Sequence, residues 1–322
     1  MKKIKEFLKP LMTEYGGWQI AIREKKGANL YEGNVKGFQL VQNTFRYWLA
    51  DPFLFEYEGK NYLFAEMFDR IRWRGIIGYA EITEGKKIKF RPCMIKPFHL
   101  SYPCLFSKNN VIYMVPEAYQ SGKITVYRAV KFPIKWEVAY EIDNIEAVDT
   151  TPLIIEGKLL GFFTTIGKEK QDFHRFNNNL YFIKDGERKL LYKDNLKKRS
   201  AGNIISEKNQ IVRPSQDCTV NYGGGLLFNS GIYENGTYKE KSIVKIVPFQ
   251  TNKKNDNEYK LELETEPSLE FYGIHTYNKN NKYEVIDLTY REKKNFLVFL
   301  HNFGCYLQEK VRKLKGYRKK IY

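Results

Sequence analysis

The sequence predicts an all-β fold, a five-bladed β-propeller whose ring is closed by a strand from the N-terminal region. Three observations predict it. Residues 48–66, WLADPFLFEYEGKNYLFAE, read as an apolar strand, a two-residue turn through Glu58 and Gly59, and a second apolar strand, with Asp51 and Glu66 at its ends. Two apolar runs joined by a two-residue turn containing Gly form a β-hairpin. The same shape recurs at residues 101–117 (SYPCLFSKNNVIYMVPE) and 149–165 (DTTPLIIEGKLLGFFTT), more weakly at 201–217 (AGNIISEKNQIVRPSQD), and at 274–287 (IHTYNKNNKYEVID). Copies about fifty residues apart have the period of propeller blades. Aromatic residues make up 16% of the chain, with 24 Tyr and 22 Phe, which suits pleated, half-buried surfaces better than helices.

The elements follow in order. Residues 1–12 place Ile4, Phe7, Leu8 and Leu11 at helical spacing among lysines until Pro10 interrupts, which reads as a short amphipathic helix. Residues 15–23, YGGWQIAIR, are patterned like the third strand of the later blades (74–82, 121–129 and 222–230), yet they precede every hairpin. The last hairpin lacks a third strand of its own. A strand over about residues 15–25 is therefore expected to complete the last blade by pairing with residues 282–290, which removes open sheet edges. The blades then span residues 48–96, 99–142, 148–192, about 200–247, and from 271 onward. Residues 167–179 form a polar loop and 250–268 a long exposed insertion. The propeller occupies residues 1–295. Residues 296–322 are a short basic C-terminal tail, with seven Lys or Arg and no acid from Lys310 to Lys320. Such a tail suits acidic headgroups, each cation near the surface adding about 1 kcal/mol.

The 322 residues carry a formal net charge of +17, which predicts an anionic partner such as a sugar nucleotide, an anionic glycan or acidic lipid. No recognition helix or aromatic ribonucleoprotein motif points to specific nucleic acid. The four cysteines have neither metal-ligand spacing nor a disulfide framework and read as reduced thiols, so a cytoplasmic protein is expected, in peripheral contact with the inner membrane surface. The first residues are too broken in apolar character for a signal peptide, and no stretch reaches the roughly 18 apolar residues of a membrane span. The glycine-rich YGGGL at residues 222–226 lacks the lysine of a phosphate loop and reads as a bulge or close backbone approach. No metal site and no cofactor is expected.

In a propeller the inner strands line a central funnel, so equivalent ends of different blades converge. The candidate catalytic acids are Asp51, at the start of an inner strand and biased to extended backbone by Pro52, Asp149, two positions out of strict register with it, Glu66 and Glu117 at second-strand ends, and Asp217. An apolar surround makes an idle charge at Asp51 costly. Several carboxylates in one funnel suit glycosyl transfer, one taking a proton from the nucleophile, another protonating the leaving oxygen, a third shifting both by like-charge proximity. Candidate substrate-binding residues are Arg213, whose fork suits phosphate or carboxylate, Gln216, His275, His99 on the rim, and Asp287.

Together LADPFLFEYEGKNYLFAE, PFHLSYPCLF with YMVPE, NQIVRPSQDC, YGGGL and EVID resemble the N-terminal domain of glucosamine inositolphosphorylceramide transferases, as in a bacterial relative, over about residues 18–287. The resemblance implies sugar transfer and surface-glycan assembly. The plant members carry a separate glycosyltransferase domain after this one. More distantly, ADPFLFEYEGKNYLF is similar to the inner-strand motif of five-bladed arabinanase- and xylosidase-type glycosidases. That likeness implies that Asp51 is the base and Asp149 the acid that modulates pKa, with Gln216 and Asp217 where those enzymes carry a general-acid Glu. The expected function is a carbohydrate-active enzyme transferring a glycosyl unit in surface polysaccharide or glycolipid biosynthesis. A glycoside hydrolase or phosphorylase using the same site, and a non-catalytic glycan-binding propeller, are the alternatives.

Overall fold

The structure, a computed structural model, describes residues 15–166, 179–207, 210–248, 257–264 and 269–292 with 303, 304 and 307. Five sheets built on antiparallel hairpins form the five blades of a β-propeller. Blade one comprises Tyr47–Tyr57, Lys60–Asp69, Arg74–Ile82 and Arg91–Met94. Blade two comprises Ser101–Lys108, Val111–Glu117, Ile124–Lys131 and Lys135–Ile142, and blade three Ala147–Ile155, Lys158–Ile166, Asn179–Lys184 and Glu187–Tyr192. Blade four contains Ile205–Glu207, Gln210–Asp217, Gly225–Glu234 and Thr237–Val247, and blade five is ordered Gln39–Leu40, Tyr15–Glu24, Tyr283–Glu292, Phe271–Lys279.

The turns form where the sequence places them, and for a backbone reason. Glu58 and Gly59, Asn109 and Asn110, and Glu156 and Gly157 all have positive φ, the conformation a two-residue turn needs to match strand twist. Residues with little steric penalty there, Gly and Asn, occupy most of these positions.

The expected ring closure is present. The N-terminal strand runs antiparallel to the last one, from Gly17 opposite Tyr290 to Arg23 opposite Glu284. Blade five is thereby built from both ends of the described chain. Its neighbours are packed by rings and branched side chains: Phe228 meets Tyr277 edge-on at 5.0 Å across the seam with blade four, and Phe53 meets Tyr102 edge-on at 4.8 Å between blades one and two.

One expectation needs correction. The polar run 250–268 is not wholly an insertion, because Glu258–Lys260 pairs in parallel with Thr237–Val247 as a fifth strand of blade four, and Leu263 bridges Phe38. The alternating KLELE within that run carries the reason, since it buries Leu261 on one face while its charges stay outside. The expected N-terminal helix lies outside the described residues, as do the polar loop over 167–179 except Asn179, which opens a strand, and the basic tail over 296–322 except Phe303, Gly304 and Leu307.

Closure is fastened by a buried ion pair. The Arg23 Nε donates to Glu284 at 2.7 Å, Arg23 also donates to the Lys36 carbonyl at 2.6 Å, and Leu30 N–H donates to the other Glu284 oxygen at 2.9 Å. Breaking one side of a buried pair leaves an uncompensated charge. Arg23→Met should therefore cost about 3 to 5 kcal/mol, read as a lower denaturant midpoint. An unchanged midpoint would mean that the seam does not depend on this pair.

Candidate functional site

In blades one, two, three and five the pairing of the first two strands slips at the same level, between Ala50 and Phe53, Ser101 and Cys104, Val148 and Thr151, and Ile274 and Tyr277. An extra residue at such a bulge bends the strand and re-aims side chains. Asp51, Tyr102 and Asp149 hold left-handed backbone there, with φ of 49°, 46° and 51°. This corrects the expected offset of Asp149. Asp51 follows the pair Ala50–Glu66 and Asp149 follows Val148–Thr165, so the two acids are equivalent, and Pro52 and Pro152 are not.

Two groups of side chains meet around the axis. In the first, Asp51 accepts from the Thr276 hydroxyl at 2.9 Å and from Tyr102 N–H at 3.1 Å, while His275 Nε2 lies 3.6 Å from the same carboxylate. Asp287 accepts from His275 Nδ1 at 2.8 Å, Thr276 N–H at 2.9 Å and Asp51 N–H at 2.8 Å. Trp18 stacks on the His275 ring at 3.8 Å and Tyr222 meets it edge-on at 5.4 Å. The glycine of YGGGL is required for this, because a Cβ on Gly223 would lie 2.9 Å from the His275 Cβ and 3.1 Å from Trp18. The expected close backbone approach is what it provides.

In the second group Arg199 is ion-paired with Asp149, lies 3.8 Å from Glu117 and sits over the Tyr222 ring at 5.1 Å. Gln216 donates to Asp149 at 3.2 Å and to the Ser200 carbonyl at 3.1 Å. Glu66 stands beside both groups. One of its oxygens has no hydrogen-bond partner and lies 3.4 Å from His99 Nε2, whose Nδ1 accepts from Gly75 N–H at 2.9 Å.

Burial and like charge set the protonation of these acids. Burial pushes Asp51 up, His275 and the Thr276 hydrogen bond oppose it, and Asp287 and Asp149 add to it, so it titrates at about 6. Burial first, then the charge of Asp51, holds Glu66 well above the usual range. Glu117 is likewise held well above it by burial and by Asp149, with Arg199 in opposition. For His275, burial works against the charged ring, but Asp287 and Asp51 outweigh it and the net shift is upward. Burial alone lowers His99 to about 4, which keeps that ring neutral. Among the described residues, Asp51, His275 and Asp287 offer ligand atoms within 4.8 Å of one another. The carboxylate oxygens already accept the hydrogen bonds above, so the set serves to hold an imidazole.

Of the residues singled out from sequence, Asp51, Asp149, Glu66, Glu117, Gln216, His275 and Asp287 are brought together, with His99 at the edge behind Glu66. Arg213 is not. Its guanidinium binds Glu240 of the same blade through two hydrogen bonds, at 2.8 and 2.7 Å, and lies over Phe163 of blade three, so it is an interior tie turned away from the funnel acids. Asp217 also turns away, because side chains alternate along a strand and Gln216 takes the inward position. Its oxygens accept from Thr219 and face Lys245 at 3.3 Å. Arg199, Tyr102, Thr276 and Trp18 join the site unforeseen. Arg199 stands in KKRSAG just before the shortest inner strand, where its backbone carbonyl accepts from Gln216 N–H at 2.8 Å.

The model of the family described as glucosamine inositolphosphorylceramide transferase 1, N-terminal, matches residues 40–265. The chain belongs to that family. Among curated proteins it is similar to glucosamine inositolphosphorylceramide transferase 1 of Arabidopsis thaliana, 32% identical over 190 residues, covering 54% of this chain and 24% of the plant protein. The same enzyme of Oryza sativa subsp. indica is 29% identical over 185 residues, again 54% of this chain and 25% of the relative. The chain thus matches about a quarter of these transferases. Among solved structures, the GH43_1 enzyme of Xanthomonas citri in complex with xylose is similar over 77% of this chain and 88% of that one, at TM-score 0.49 and 8% identity. The alpha-L-arabinofuranosidase PaAbf62A from Podospora anserina is similar over 87% and 98%, at TM-score 0.44 and 11% identity. These likenesses are too slight to add to the argument, and the propeller rests on the strand pairing described above.

The elevated Asp51 makes stability fall as pH rises. Between its ordinary value of 3.8 and about 6, the folded protein holds a proton there that the unfolded chain has released, so the stabilisation present below 3.8 is lost by the upper end. The loss is about 3 kcal/mol. Glu66 and Glu117 shift in the same direction and carry the decline to higher pH. Asp51→Asn should flatten the segment between 4 and 6, measured by denaturant unfolding across pH; an identical slope in both proteins would contradict a raised Asp51.

Proposed function

We propose that this member of the family is a carbohydrate-active propeller that acts on a glycosyl group in surface polysaccharide or glycolipid synthesis, with its central carboxyls as base and acid. The supporting observation is that Asp51, Asp149 and the half-buried Glu117 meet around one axis, close enough for each to bear on the charge of the others, with Arg199 beside Asp149 and Glu117. Asp51, titrating at about 6, accepts a proton near neutral pH, whereas Glu117, held well above the usual range, has one to give. Two acids pushed apart by their surroundings divide base and acid work. Asp149 is the third carboxylate, fixed by Arg199 and raising both neighbours. Arg199 supplies positive charge suited to a phosphorylated or carboxylated sugar, which agrees with the net charge of +17. Trp18 and Tyr222, both half-buried, offer ring faces for a pyranose.

A hydrolase or phosphorylase would use the same acids. A binding module without turnover is favoured by one observation: both Asp51 oxygens accept hydrogen bonds within the protein. Asp51→Asn separates the readings. The asparagine oxygen can still accept from Tyr102 N–H, and its amide can donate to the Thr276 hydroxyl, so folding should survive. A ligand would first be found among sugar nucleotides and oligosaccharides by the rise in melting temperature it produces. Turnover of that ligand should then fall by roughly 10² to 10⁴ in Asp51→Asn, with binding retained. Binding without turnover in the wild type would establish the binding module instead, and full activity in the variant would place the base elsewhere.

We further propose that the protein is cytoplasmic, with residues 308–322 on acidic lipid, a reading supported by the seven Lys or Arg and no acid from Lys310 to Lys320. No helix among the described residues is long and apolar enough to cross a membrane. Intact protein should bind vesicles rich in phosphatidylserine at low salt, and release on salt addition or removal of residues 308–322. Failure to bind at low salt would remove the membrane role.

A further inference from the structure

Among the described residues, the three most exposed large apolar side chains are Val220 at 89%, Phe45 at 72% and Ile71 at 68%. All three stand at the end of the propeller where the acids meet. Ile71 lies in the loop after Lys60–Asp69, the strand that carries Glu66, and Val220 lies in the loop after Gln210–Asp217, the strand that carries Gln216. The second of these loops also supplies Tyr222 and Gly223 to the site. Phe45 comes just before Tyr47–Tyr57, the strand that carries Asp51. The turns at the opposite end, Glu58–Gly59, Asn109–Asn110 and Glu156–Gly157, are polar and exposed. Apolar side chains scattered singly are ordinary on a surface, but a one-sided distribution marks a face that meets something apolar.

The two blade-one tips are held amid positive charge. The buried Asp69 carboxylate accepts from Ile71 N–H at 2.9 Å and from the guanidinium groups of Arg46 and Arg72 at 2.8 and 3.1 Å, while Arg70 N–H donates to the Arg46 carbonyl at 2.9 Å. Phe45 and Ile71 therefore project from two segments tied side by side. Those segments, 44–46 and 69–74, carry Arg46, Arg70, Arg72 and Arg74 against the single acid Asp69, and Arg46 and Arg72 also reach solvent. On blade four, Cys218 N–H donates to the Leu196 carbonyl at 2.8 Å, which brings the exposed Leu196 and Lys197 beside the Val220 loop. The chain past the last blade arrives at the loop of Ile71, since a Cβ on Gly304 would lie 2.7 Å from Trp73 Nε1, and Leu307 just beyond is 47% exposed. A protein interface gathers its apolar side chains into a core depleted of charge. Separate apolar tips set among arginine and lysine match instead the boundary of an anionic bilayer, where the tips enter the acyl edge and guanidinium groups pair with lipid phosphate.

We infer that the acid end of the propeller is a docking surface for an anionic lipid bilayer, with Phe45, Ile71 and Val220 entering the headgroup layer and the funnel mouth facing the membrane. This face adds to the lipid contact proposed for residues 308–322 and does not depend on it. The full chain is sedimented at low salt with vesicles of phosphatidylcholine alone and of phosphatidylcholine with phosphatidylserine. The wild type should bind the phosphatidylserine vesicles more tightly. A combined Phe45→Ser, Ile71→Ser, Val220→Ser variant should bind them at least about tenfold more weakly at an unchanged melting temperature, because the three side chains are already in water in the free protein. If that variant does not fold, Val220→Ser alone should weaken binding at least about twofold. Equal binding by wild type and variant would overturn the inference, as would indifference of the wild type to both kinds of vesicle. Binding lost on removal of residues 308–322 but unchanged in the combined variant would leave the tail contact and overturn the docking face; the reverse pattern would keep the face and remove the tail. A wild-type dimer that the combined variant returns to monomer, without vesicle binding, would assign the face to a second copy of the chain and overturn it equally.

Discussion

The structure depends on what Asp287 does with its two oxygens. They accept from the backbone N–H groups of Asp51, His275 and Thr276 as well as from the His275 ring. Two of those donors sit at the bulge of blade five, where strand pairing is interrupted and the amides would otherwise be orphaned, a cost that buried backbone rarely bears. The third belongs to blade one. A single carboxylate therefore satisfies one bulge, orients an imidazole and attaches the closing blade to the first. The left-handed backbone at Asp51 sits next to this anchor, and a strained conformation of that kind persists only where its surroundings fix it.

From that point the site is built by repetition with substitution. The same bulge in different blades presents Asp51, Tyr102, Asp149 and His275 toward one axis, so a single backbone device delivers a base candidate, a plug, a second carboxylate and a ring. The carboxyls are crowded enough that burial and mutual repulsion raise several of them, and Arg199 offsets part of this from blade four. Removing Arg199 would leave Asp149 and Glu117 facing each other without a cation between blades. The polar centre is thus held by charge balance across blades, whereas the seams outside it are held by aromatic and branched side chains.

Much of the fold was legible because its determinants are local. Two-residue turns at Glu58–Gly59 and Asn109–Asn110 and alternating apolar runs sit within twenty residues of one another, and the unpaired third strand at residues 15–23 announced its partner by elimination. The site was legible in part. Asp51, Asp149, Glu66 and Glu117 were visible as charges in apolar surroundings or at repeated positions. What a bulge does to register was not, since an extra residue leaves no compositional mark, and counting from the prolines misplaced Asp149 relative to Asp51. Arg213 and Arg199 show the same limit: both precede or lie in the fourth hairpin, and only the alternation of an actual strand and the location of Glu240 decide which one faces the axis.

The way the ring closes also sets an order of events during synthesis. Arg23 and Glu284, which pair at the seam, are 261 positions apart. At about 5 to 20 residues per second, the strand carrying Arg23 waits roughly 10 to 50 s after leaving a ribosome for its partner. During that wait four blades can form in sequence while the strand that will complete the fifth, with Trp18, Ile20 and Ile22, remains an open edge able to pair with another nascent chain. The separation of the two seam strands thus sets an interval in which the N-terminal strand is unpaired, and slower translation lengthens it.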